Sequence, residues 1–154
     1  PARGTSGVAA RATGRVSPGG DAQRRRGLLR RSTTDATATE LSADGAAPSS
    51  TTQVVLPNNS AYAVIGRIVA RAAATGDCAS WEIKGTIRRG ANAAATALVA
   101  AITPSLVSGD SGASSWTVAV AANTTLGCLT ITVTGAAATN IKWVADIETV
   151  EVVG

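Results

Sequence analysis

Apolar and polar residues alternate with a period of two over much of the chain, the period of a strand packed on one face. Over residues 79–87, Trp81, Ile83 and Ile87 share one side, and Ser80, Glu82, Lys84 and Thr86 share the other. Residues 61–71 alternate in the same way. Tyr62, Val64, Gly66 and Ile68 lie on one face, and Ile65, Arg67, Val69 and Arg71 on the other. The second face mixes Ile and Val with two arginines, which marks it as a candidate oligomer face. Trp116, Val118 and Val120 alternate, as do Leu129, Ile131 and Val133 against Thr130, Thr132 and Thr134. Near the C-terminus, Ile141, Trp143, Ala145 and Ile147 face inward beside Lys142, Asp146 and Glu148. The apolar phase then flips to Val150 and Val152, which predicts a bulge or bend near Thr149.

Turn signals separate these runs. They are Asp44-Gly45, Pro57-Asn58-Asn59, Thr75-Gly76-Asp77, the break at residues 88–92, Thr103-Pro104, residues 108–115 and Asn123-Thr124-Thr125. Residues 53–56 form a further short apolar run, and residues 96–102 an apolar run taken as a strand that Pro104 closes. Residues 27–31 lead into another extended stretch at 37–41. With no clear helical period, about eight or nine short strands at roughly ten-residue spacing indicate an all-β chain, an antiparallel sandwich or jelly roll. All three tryptophans fall on inward positions and read as core anchors; nothing in their spacing favours a sugar-stacking platform.

Charge divides the chain. Residues 1–31 hold eight arginines against Asp21 alone, a charge of +7, and the rest holds six basic and nine acidic residues, a charge of −3. The net +4 therefore describes a basic extended arm, residues 1–32, attached to a mildly acidic sandwich domain, residues 33–154. Residues 1–23 lack periodicity and carry too little apolar surface to order alone. The arm has no aromatics, lysines or recognisable nucleic-acid motif. It reads as an anchor for a partner, with Arg24, Arg25, Arg26, Arg30 and Arg31 as the anchoring residues, rather than as a nucleic-acid binder. No run reaches the length of a membrane span, and no N-terminal apolar stretch resembles a signal peptide. Pro1 fits either a removed initiator Met or a longer precursor.

The string SGDSGASS at 108–115 has the letters that surround a protease serine. The chain has no histidine, and Ser111 needs a base to become a nucleophile. Lys84 and Lys142, the only lysines, sit inside strand-like runs, so the string reads as a turn. The acids are scattered and the two cysteines are fifty residues apart, so neither a metal centre nor a cofactor site is expected. Asn58-Asn59-Ser60 and Asn123-Thr124-Thr125 match the glycosylation pattern but read as turns. Alternation puts Cys78 and Cys128 on the polar sides of their strands. Three states stay open for them: paired with each other, paired between chains, or free.

The phrases TTDATATELSADG, QVVLPNNSAYAVIGRIVAR, WEIKGTIRRGANAAATALV and WTVAVAANTTLGCLTITVTGAAATNIKWVADIETVEVVG resemble a β-rich domain found in structural and tail-fibre-type proteins of tailed bacteriophages. They cover nearly all of residues 33–154. The resemblance implies a non-enzymatic virion protein, assembled in the host cytoplasm and associated with other virion proteins, and it carries no catalytic residues. By analogy it implies a homo-oligomer, a trimer. The short chain points to a capsid decoration or cement role. The alternative is a tail-fibre or tail-tip module that recognises host glycans, with loops at Asn58-Asn59, at residues 90–92 and at residues 108–115 lining the site.

Overall fold

The computed structural model describes residues 8–17 and 19–154. Among them, eleven strands build two antiparallel sheets that pack as a sandwich, without an α-helix. In chain order they are β1 (Val8–Gly14), β2 (Ala22–Thr33), β3 (Thr39–Glu40), β4 (Val54–Val55), β5 (Ser60–Ala72) and β6 (Cys78–Arg89). There follow β7 (Thr96–Leu98), β8 (Ser105–Gly109), β9 (Thr117–Asn123), β10 (Cys128–Thr134) and β11 (Ile141–Val153). The large sheet runs β1-β2-β11-β5-β6, and β7 and β8 share the far edge of β6. In the small sheet, β9 takes one edge of β10, and β3 and β4 take the two ends of the other.

The period-two faces become the core. Tyr62, Val64 and Ile68 of β5 point inward, as do Trp81, Ile83 and Ile87 of β6 and Ile141, Trp143 and Ile147 of β11, against Leu129, Ile131 and Val133 of β10. Trp143 is the hub. Its ring stacks on Trp81 at 5.7 Å and tilts against Trp116 at 5.8 Å. Its Nε1–H donates to Thr33 Oγ1 at 2.9 Å, which satisfies a polar atom that burial would otherwise strand. Gly66 is inward on β5 because two isoleucines fill its place. A Cβ there would lie 2.6 Å from Ile147 Cδ1 and 2.8 Å from Ile83 Cγ1.

Four expectations need correction. First, the arm does not end at residue 32. Residues 22–33 form β2, an interior strand that pairs with β11 from Val152↔Ala22 to Ile141↔Thr33. Its outer edge pairs with β1, so the described part of the arm is held by the chain itself. Residues 1–7 lie outside the described residues. Second, β11 has no bulge near Thr149, because its register with both neighbours is unbroken through Val152. The polar residues go inside instead: Thr149 and Glu151 are buried, Val150 and Val152 are exposed, and Gln23, Arg25 and Tyr62 line the same interior end. Thr149 Oγ1 donates to Glu151 Oε1 there at 2.7 Å. Third, the strand expected at 96–102 shortens to β7, and Ser105–Gly109 forms β8, whose fully exposed edge position gives no alternation to read. Fourth, Cys128 is buried rather than set on an open polar face, and Thr130, on the same side of β10, is buried with it.

Candidate interaction surface

In an antiparallel sheet, residues directly opposite one another point to the same side. Alternation sends Arg24, Arg26, Leu28 and Arg30 of β2 to the outer face of the large sheet. The register lines them up with Val150, Glu148, Asp146 and Val144 of β11, and these with Ala63, Ile65, Arg67 and Val69 of β5. On β6 the rows continue through Thr86, Lys84, Glu82 and Ser80. The candidate oligomer residues Ile65, Arg67, Val69 and Arg71 therefore all lie on this face.

The face is unusual for a sheet exposed to water. Leu28, Ile65, Val69, Val144, Val150 and Val152 are between 39% and 62% exposed. Aliphatic side chains exposed on one face make it the candidate interaction surface. Val107, the extra residue where the register of β8 slips against β6, reaches over the same face. With Val69 and Val144 it lines an open groove of about 360 Å³, rimmed by Arg67, Glu82 and Asp146.

The carboxylates of the face are held by its arginines. Arg26 grips Asp146 with two parallel bonds, Nε at 2.9 Å and a terminal nitrogen at 2.6 Å. That contact keeps the Asp146 carboxyl below the usual range and the Arg26 guanidinium above its own. Arg24 meets Glu148 at 2.6 Å, and Arg67 stands 3.8 Å from Glu82. The five arginines expected to anchor a partner do not share one face, because neighbours on a strand point to opposite sides. Arg24, Arg26 and Arg30 face outward, while Arg25 is buried and Arg31 points inward and donates to the Gly45 carbonyl at 3.2 Å.

The remaining candidates are scattered. Ser111 opens a short 3-10 turn (Ser111–Ala113) and is exposed. The turn is pinned to the start of β6. The Asp110 carboxylate accepts the Cys78 backbone N–H at 2.9 Å and the Cys78 thiol at 3.3 Å, which holds that carboxyl below its usual range. A Cβ on Gly112 would lie 2.4 Å from the Asp77 carboxylate, so glycine lets the loop sit against that turn. Asp110, the acid nearest in sequence to Ser111, is thus bonded to Cys78 and poorly suited to act as a base.

Both cysteines are free thiols on different sheets. Asp110 raises the Cys78 thiol by hydrogen bond and charge, and burial pushes the Cys128 thiol up to about 11. Among the described residues, no three His, Cys, Asp or Glu side chains gather to hold a metal. Among the same residues, no helix is long and apolar enough to cross a membrane.

The three loops proposed for glycan recognition separate. Asn59 donates its N–H to the Gly90 carbonyl at 2.9 Å, which joins the first two at the Arg89 end of β6. Residues 108–115 pack at the Cys78 end, a strand length of roughly 35 Å away. On this face sequence reasoning missed Leu28 of β2 and Val144, Val150 and Val152 of β11; the flip from Ile147 to Val150 and Val152 was the available signal. No protein-family model matches the chain, and comparison with curated proteins finds no match either.

Proposed function

We propose that this chain is a non-enzymatic structural module of a bacteriophage particle, a capsid decoration or cement protein that docks through the outer face of its large sheet. One observation carries the reading: six large aliphatic side chains stand exposed among cations on a single sheet face. Where the apolar phase flips at Thr149, β11 keeps its register, buries Thr149 and Glu151, and leaves Val150 and Val152 outside. A sheet that faced only water would gain by the reverse placement. The resemblance over residues 33–154 supplies the setting, a phage particle. A homotrimer belongs to the same reading, closed as a ring of heterologous contacts between surfaces other than this face.

The experiment is reconstitution. Purified chain is added to phage capsids that lack it, and binding is followed by sedimentation. Saturable binding is expected, with loss when Ile65→Asp and Val69→Asp are combined. Both positions are exposed, so the variant keeps its core. Wild-type chain that ignores capsids but binds host-cell glycans would overturn the reading in favour of the receptor-recognition alternative.

A further inference from the structure

The positive charge of the chain is gathered on the same face as the exposed aliphatics. β1 and β2 supply Arg11, Arg24, Arg26 and Arg30, and β5, β6 and β11 supply Arg67, Arg71, Lys84, Arg88 and Lys142. All nine are exposed, and the carboxylates among them are Glu82, Asp146 and Glu148, with Asp110 beside Arg71 through its bond to the Cys78 thiol. The face therefore holds a surplus of five positive charges, while the remaining sequence, with five basic and six acidic residues, is −1.

We infer that the partner seated on this face is a different protein, with a docking surface of carboxylates interspersed with aliphatic side chains. This rests on the docking reading above. A second copy placed face to face would set two strongly positive surfaces together, which charge repulsion opposes. Nucleic acid fits poorly. Single strands bind by stacking bases on aromatic rings, yet Tyr62, Trp81, Trp116 and Trp143 are all buried. A duplex laid on a flat sheet would meet the cations with its phosphates and leave Ile65, Val69 and Val144 unburied against sugar and phosphate. An acidic protein surface satisfies both features. Its aliphatic groups cover the Val69, Val144 and Val107 groove, and its carboxylates meet Arg71, Lys84, Arg88 and Lys142 elsewhere on the face.

The test uses the full chain with three probes: capsids lacking it, a soluble peptide of alternating Glu and Val, and a DNA duplex of equal charge. Capsids and peptide are expected to bind, with peptide-induced amide shifts confined to β2, β5, β6 and β11. Raising salt should slow association by about tenfold or more. Combining Lys84→Glu with Arg88→Glu should reduce capsid and peptide binding together. If capsids bind and the reversed variant binds them equally well, docking stands and the acidic partner is wrong. If the duplex binds more tightly than the peptide at the same salt, or the peptide does not bind at all, the inference is overturned. Failure of wild-type chain to bind capsids, with peptide binding intact, would instead count against the capsid reading.

Discussion

Asp110 shows how one side chain can decide the behaviour of a neighbour. Its carboxylate accepts from both the backbone and the thiol of Cys78, and so disfavours the thiolate. Asp110→Asn removes the charge and should lower the Cys78 pKa, speeding alkylation at mildly alkaline pH. Unchanged alkylation kinetics would contradict this. In native protein one thiol should react, and in denaturant two, because Cys128 is enclosed. Asp21 illustrates the acid side. It accepts from the backbone N–H groups of Ser17 and Val16, which lower its pKa in the folded state. Asp35, Asp44, Asp110 and Asp146 are lowered too, chiefly by the Thr37, Ala46 and Cys78 backbone N–H groups and by Arg26 respectively. A depressed carboxylate stabilises the fold fully above its unfolded value, about 3.9. That contribution is lost as pH falls through the folded values. Urea midpoints should therefore fall below about pH 4. A flat profile down to pH 2 would exclude these contacts as stabilising. Thr33→Val should cost about 1–3 kcal/mol by leaving the Trp143 N–H without its acceptor, read by tryptophan fluorescence in urea; Thr33→Ser should recover most of it.

At the scale of the strand, legibility in the sequence follows the interior's polarity. β5, β6 and β10 were readable because their inward residues are apolar and alternate without interruption. β2 was not, because its inward positions include Gln23 and Arg25, and an arginine-rich run looks the same whether it is solvated or half-buried. The same polar interior end explains β11. There the apolar phase flipped while the backbone register did not, so the sequence pattern mimicked a bulge. The outer-face residues of β5 were visible as a mixed apolar and basic row, but the rows they complete with β2 and β11 depend on pairings 69 to 130 residues apart in sequence. Gly66 belongs to this scale too. A side chain there must displace Ile83 and Ile147, so Gly66→Ala should destabilise by about 1–3 kcal/mol without changing strand content by circular dichroism.

For the molecule as a whole, the last strand is the central one. β11 lies between β2 and β5, so the large sheet cannot close until the C-terminus is available. Pairing of this range predicts folding on the millisecond-to-second scale. Removing residues 141–154 should leave two unpaired strand edges and an aggregating chain; a soluble, sheet-rich truncation product would contradict that placement. The finished sandwich is two-faced. The outer surface of the small sheet is built from small and polar residues such as Thr117, Ala119, Ala121, Thr132 and Thr134. The large sheet presents aliphatics and a surplus of cations. The most direct measurement of the central claim is a reconstruction of decorated capsids fine enough to orient the sandwich. The large sheet, with Ile65, Val69 and Val144, is expected to turn onto its neighbour and the small sheet to solvent. A reconstruction with the small sheet or the loop at 108–115 in contact, and the large sheet open to solvent, would contradict it.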